Sequence, residues 1–563
     1  MMLSLWRLMT MSMVVVRTIV VASDNSSRDG AHRNHDSSIH WNYRDYNHHN
    51  NDGPRNRKRK SNPDEISCCM AQNIHIEPGS SVRTDGTVDM YISFTLPFPD
   101  CKNLDVAITY DCSPAENTPP VTVPLTRFIQ FESYENAWNT KPQPSSYIFH
   151  GLLEQLPASA TDCWYQIQHH MDRESKQPSS LDDNNLSPKI TFTTPTTLGQ
   201  PSTLAIVADW GQTTDSIHTM ELIKNATIRK SNETILQNIS LRTKKQIHNS
   251  PPLPVVSTLL VVGDLSYANG HLPSWETWLT SMQPLFQSTP LLVAAGNHEL
   301  ECDAHTYEIF RAYQHYFRTP NYHDPTDWRR VPFQKRWKPC THPSQEVWSV
   351  YEGGNSYYQF REGLAHVIVL NPYTPTNVGS VQYNWLQTVL QTEVDRTISP
   401  WLIVAFHCPF HTTFRGHNHE INSQIMKEAM EPLFLKYNVN VVFSGHQHSY
   451  VRSHPMRYGQ VDTDGHSPIY MTVGTGGESH SLGPLHPRQG DWVAVRDHST
   501  FGAGQLQLVN ATHAHWERLM DDTTDPSLRD SVWIVNYYTT TIKQMPSNEE
   551  TLFQSDANTM ETT

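Results

Sequence analysis

Five stretches decide the fold: TLAIVADWGQT (203–213), TLLVVGDLSYAN (258–269), PLLVAAGNHE (290–299), WLIVAFHCP (401–409) and VNVVFSGHQHSY (439–450). Each opens on an apolar run without polar alternation, the pattern of a strand buried on both faces, so helices are expected to cover a central sheet. What ends each run matters more. The five terminate in Asp209, Gly263-Asp264, Gly296-Asn297-His298, His407 and Gly445-His446-Gln447-His448. In layered α/β folds functional side chains collect just beyond the carboxyl ends of strands, so these loops can converge on one site. One polar residue after a strand is ordinary turn chemistry. Five metal-competent ones in succession are not explained that way. His446 and His448 flank a single residue, and two extended residues at i and i+2 place both imidazoles on one side.

Upstream, residues 70–197 read as short alternating segments, VDMYISFTL, LDVAITYDC, SSYIFHGLL, CWYQIQHH and KITFTTP, separated by Pro, Asn and Asp turns. That pattern is an antiparallel sandwich. Residues 24–64 are rich in Asn, Asp, Arg and His with almost no aliphatics, and cannot bury enough surface to fold alone. The run Arg55–Lys60 (RNRKRK) fits a processing site, a basic patch or a solvated linker. A formal net charge of −14 leaves no global positive field to gather nucleic acid or an anionic membrane face, so any phosphate affinity must be local. Met1–Ser23, with an early Arg7, an apolar stretch interrupted by Arg17 and small residues near Ala22, reads as a secretory signal. No later stretch approaches the roughly 18 uninterrupted apolar residues of a membrane span.

The blocks ADWGQT, GDLSYAN, GNHE, FHCP and GHQHSY, in this order, resemble those of purple acid phosphatases within the metallophosphoesterase superfamily. The first block of that superfamily usually reads Asp-x-His; here Gly211 stands at the His position and Tyr267 lies three residues after Asp264, the exchange that marks the purple type. The resemblance implies an α/β catalytic domain, a four-layer βαβαβ sandwich of the metallophosphoesterase kind, preceded by an all-β fibronectin-III/Ig-like sandwich. It also implies that Asp209, Tyr267 and His448 bind iron(III), that Asn297, His407 and His446 bind a divalent ion (zinc, manganese or iron(II)), and that Asp264 bridges the two. The donor chemistry agrees with this division, since carboxylate and phenolate oxygens suit iron(III) while imidazoles and an amide oxygen suit borderline divalent ions.

The activity so implied is hydrolysis of small phosphate monoesters, fastest at acid pH, by a hydroxide held on the dimetal centre. His298 and His417 match the family's phosphate-binding and proton-donating histidines, with Asn297 also facing substrate. In FRGHNHE a Gly416 precedes His417 where plant-like members show paired histidines, so His419 is the alternative donor. Expected boundaries are a signal at 1–23, a polar segment at 24–66, the sandwich at 67–197, the catalytic domain at 200–525 and a C-terminal segment and tail at 526–563. Family members pair through these regions, so a homodimer is possible. The same ligands on a different rim would serve a phosphodiesterase or nucleotide pyrophosphatase, and a phosphatase fold without activity would leave a secreted adhesion protein.

Eight cysteines in a secreted chain should be partly bridged. Cys302 and Cys340 flank an aromatic-rich insertion and fit a loop clip, whereas Cys408 reads as a buried thiol. Sequons at Asn25, Asn185, Asn225, Asn232, Asn238 and Asn510 fit glycosylated surface loops.

Overall fold

The computed structural model describes residues 70–99, 104–112, 119–135, 141–171, 186–228, 255–330, 349–415, 420–478, 482–520 and 528–538. The signal, the polar segment with its basic run, the tail at 540–563, the sequons at Asn25, Asn185, Asn232 and Asn238, and His417 and His419 all lie outside them.

The five apolar runs do not share one central sheet. Ser202–Val207, Thr258–Val261 and Leu291–Val293 pair in parallel as half of a six-stranded sheet, which Ala503–Leu508, His513–Leu519 and Ser531–Val535 extend antiparallel. Trp401–Ala405 and Val441–Ser444 lie in a second, eight-stranded sheet, parallel to Ala365–Val369 and Ile469–Val473. Side-chain alternation explains the continuous hydrophobicity. Ala205 and Val207 face a core shared with the helices Thr214–Ile228 and Leu272–Phe286, while Leu204 and Ile206 meet Ile403, Ala405 and Phe443 of the opposing sheet. On the far side, Leu402 and Val404 pack against Val381–Thr392 and Ile421–Lys436. The order is helix, sheet, sheet, helix, which is the expected four layers with two sheets in place of one.

The helices follow from their own sequences. Leu272–Phe286 carries Pro273 in its first turn, where the missing N–H costs nothing, and buries Trp275, Trp278, Leu279, Met282 and Phe286 at helical spacing. Each such large side chain withdrawn from water contributes about 1.5–3 kcal/mol. Val381–Thr392 is capped by the Ser380 hydroxyl, which accepts from the Tyr383 N–H.

Residues 72–192 form two antiparallel sheets. Gln72–Pro78, Thr87–Leu96 and Tyr147–Pro157 make one, and Val121–Leu125, Leu104–Asp111, Cys163–Met171 and Ile190–Phe192 the other. They enclose a common apolar core around Ile76, Val88, Ile92, Ile108 and Ile167, and a Cys112–Cys163 disulfide staples its edge. All described residues belong to one compact unit, Pro63–Thr563. The strand Gln72–Pro78 escaped the sequence reading because it buries His75 and Glu77 as well as Ile74 and Ile76. Tertiary partners allow that: the Glu77 carboxylate accepts from the Arg318 backbone N–H (2.7 Å) and the Ser93 hydroxyl (2.7 Å). Cys302 is disulfide-bonded, with Cys340 outside the described residues, and Cys408 is a buried thiol that belongs to no disulfide. Asn225 is exposed on its helix, and Asn510 is half-buried in a turn where its side-chain oxygen accepts from Thr512 and His513. Among the described residues no helix is long and apolar enough to cross a membrane.

Candidate metal centre

The carboxyl ends of the parallel strands of both sheets meet, and their loops interlock: the His446 N–H donates to Asp209 Oδ2 (2.7 Å) and His407 Nδ1 to the Val262 carbonyl (2.8 Å). Turning out of a strand so abruptly needs unusual backbone. Asp209 (φ 55°), Asp264 (φ 51°), Tyr267 (φ 54°) and His446 (φ 68°) all sit in the left-handed region. For residues with a side chain this costs about 1–3 kcal/mol each and persists only where the surroundings enforce it, which concentrates such strain at functional sites. Gly263 (φ 81°) has a second constraint, because a Cβ there would come within 2.5 Å of His407 Nδ1.

The side chains fall into two groups. The Tyr267 hydroxyl lies 3.1 Å from Asp209 Oδ1 and 2.9 Å from His448 Nε2, which is itself 3.5 Å from Asp209 Oδ1. The donor atoms of Asp264, His407 and His446 all lie within 4.8 Å of one another. His407 Nε2 joins the groups, 3.0 Å from Asp264 Oδ2 and 4.0 Å from Asp209 Oδ1. Asn297 is buried, its Oδ1 accepting from the Tyr373 hydroxyl (3.4 Å), and the next residue's N–H, that of His298, donates to Asp264 Oδ1 (2.9 Å). His298 packs against Tyr267 with ring centroids 4.2 Å apart and planes tilted by 43°, holds Asn269 Oδ1 through Nδ1 (2.7 Å), and has Nε2 3.9 Å from Asp264 Oδ2. His298 is thus on the site, against the Tyr267 face.

The electrostatics of these side chains are strained in a telling direction. Burial, then Asp209 and Asp264, push the Tyr267 phenol well above its ordinary range, so it stays neutral unless a strongly polarising ion adjoins it. Burial would raise Asp264, but His407, His298 and His446 together hold it far below the carboxylate range. Burial would lower His407, yet Asp264 and then Asp209 push it up to about 9. Burial dominates at His298, pulling it down to about 4 against the opposing pull of Asp264 and Glu478. The donor set fits a cation. A carbonyl only accepts, so the 2.8 Å contact from His407 Nδ1 to Val262 places the hydrogen on Nδ1 and leaves the neutral ring's lone pair on Nε2. That buried Nε2 has no hydrogen-bond partner among the described residues, yet it faces a carboxylate oxygen at 3.0 Å. Two lone pairs so close repel unless a proton or a metal ion lies between them.

Glu299 belongs to the GNHE block, but no role was read from it. Its buried carboxylate accepts from the backbone N–H groups of Asp264 (2.9 Å), Leu265 (2.8 Å) and Gly296 (2.8 Å), strapping two ligand loops together. Burial first, and Asp264 next, push this acid up to about 8. Glu299→Gln turns an amide N–H toward at least one of these donors. A loss of about 1–3 kcal/mol in the unfolding free energy of the metal-free protein is expected; an unchanged denaturation midpoint would remove the strap.

A model of the calcineurin-like phosphoesterase family matches residues 203–450, and one of the iron/zinc purple acid phosphatase-like C-terminal region matches 467–531. Purple acid phosphatase 18 of Arabidopsis thaliana is 36% identical over 276 residues, 49% of this chain and 56% of that protein. Probable purple acid phosphatase 20 of the same plant is 34% identical over 277 residues, or 49% and 58%, so this chain spans little more than half the length of these relatives. The purple acid phosphatase of Glycine max is 30% identical over 374 residues, covering 63% of this chain and 68% of its own. The solved purple acid phosphatase from yellow lupin (Lupinus luteus) seeds superposes with a TM-score of 0.63 at 17% identity, covering 86% of this chain and 78% of that one, a likeness of fold. With the family's blocks in order and its fold around them, the chain belongs to the purple acid phosphatases.

Proposed function

We propose that the protein is a secreted acid phosphatase that hydrolyses small phosphate monoesters. Asp209, Tyr267 and His448 would hold iron(III), Asn297, His407 and His446 a divalent ion, and Asp264 both. A relative 28% identical over 429 residues carries the name Fe(3+)-Zn(2+) purple acid phosphatase 12, which supports that pair of ions. The ions would supply Lewis-acid polarisation of the phosphoryl oxygens and an acidified water. The chain's own groups do the rest. Two buried carboxylates and a phenol set the charge of the pocket, and the strained ligand loops hold the donors before any ion arrives. His298, fixed by Asn269, directs Nε2 toward Asp264, where a phosphate ester would add the negative charge that favours its imidazolium and so allows a proton to pass to the leaving oxygen. His417, outside the described residues, would assist. The sheets of 72–192 support reading the segment 67–197 as the fibronectin-III-like domain expected ahead of the catalytic region 200–525.

The observation that carries this reading is the Tyr267 hydroxyl set between Asp209 and His448. A phenolate on iron(III) absorbs visible light. The purified protein should be violet, and Tyr267→Phe should abolish the colour while the chain still folds. A colourless protein that is active and full of iron would sink the assignment.

A further inference from the structure

Glu420 immediately precedes the helix Ile421–Lys436 and belongs to none of the five blocks. Its Oε1 lies 2.8 Å from His446 Nε2, and its side chain is largely buried. An ionised carboxylate only accepts, so Nε2 carries the hydrogen and the ring nitrogen left to hold a cation is Nδ1. The backbone of the same histidine is anchored from the other side, its N–H donating to Asp209 Oδ2 (2.7 Å). We propose that Glu420 is a positioning residue for the divalent half of the centre: it fixes the ring and tautomer of His446 so that Nδ1 is the donor, and makes that nitrogen more basic. The inference rests on the dimetal reading above.

Cys408, Glu420 and His446 also have donor atoms within 4.8 Å of one another. A separate metal position there is disfavoured because the atoms are engaged pairwise: Glu420 with His446, and Cys408 Sγ with the Tyr373 hydroxyl at 3.1 Å. Carboxylate partners of this kind typically account for about 10–100-fold in metal affinity. The contact is to His446, so the effect should be confined to one ion.

The test uses the full-length protein with both metals, as wild type, Glu420→Ala and Glu420→Gln, from which the divalent ion is removed by a chelator and titrated back as zinc. Glu420→Ala should bind zinc about 10–100-fold more weakly. Glu420→Gln should lose less, since its amide oxygen still accepts, and both should keep the violet band in position and intensity. Wild-type zinc affinity in Glu420→Ala overturns the proposal. So does joint loss of zinc and the violet band in both variants, which would make Glu420 a prop of the whole centre. A wild-type protein holding neither metal refutes the dimetal reading itself, whereas a wild type holding both beside unaffected variants refutes only the role of Glu420.

Discussion

Asp264→Asn is expected to lower the occupancy of both metal positions and to cut turnover by about 10³-fold. Asp264 is the acid proposed to bridge: its Oδ2 lies 3.0 Å from His407 Nε2, and its loop carries Tyr267 three residues on. Replacing a bridging carboxylate by an amide removes one charge shared by two cations. A loss of about 4 kcal/mol of transition-state stabilisation, within the several kcal/mol that bound metals supply, is about 10³-fold in rate. Elemental analysis should find less of both metals, whereas Asn297→Ala or His446→Ala should mainly lower the divalent ion. Unfolding separates this from collapse of the fold. The amide oxygen introduced by Asp264→Asn can still accept the His298 N–H, so the metal-free variant should denature close to the metal-free wild type. Two metals per chain with normal turnover in Asp264→Asn would show that the acid does not bridge.

His298→Ala should cut turnover by about 10² to 10⁴, the usual worth of a positioned proton donor, while keeping both metals and the violet colour. Its Nδ1 is engaged with Asn269, and its ring packs against Tyr267. The loss should be large for alkyl phosphates, whose alkoxide must be protonated to leave. It should shrink for nitrophenyl phosphate, whose leaving group departs unaided. Equal losses on both substrates would reduce His298 to a phosphate-binding group. Loss of metal would make it structural.

The core strands and the candidate ligands that end them were legible in the sequence for the same reason. A strand buried on both faces must be apolar throughout, so TLAIVAD, TLLVVGD and WLIVAFH stand out, and the polar residues that end them are conspicuous by contrast. The His446/His448 pair followed from spacing within one loop, whereas Tyr267 and His298 followed from the resemblance to purple acid phosphatases. That the runs divide between two sheets was not legible, because a side chain facing a helix and one facing a second sheet are equally apolar. Nor were the strand Gln72–Pro78, the bonds of Glu299 to the Asp264 and Leu265 N–H groups, or the carboxylate of Glu420 against His446. Each of these depends on a partner far along the chain: Glu420 precedes His446 by 26 residues, and Glu77 meets Arg318 across 241. Local pattern determined which residues could be buried and which could bind a cation. Only the tertiary structure decided which buried acid meets which loop, because a hydrogen bond between distant segments leaves no period in the sequence.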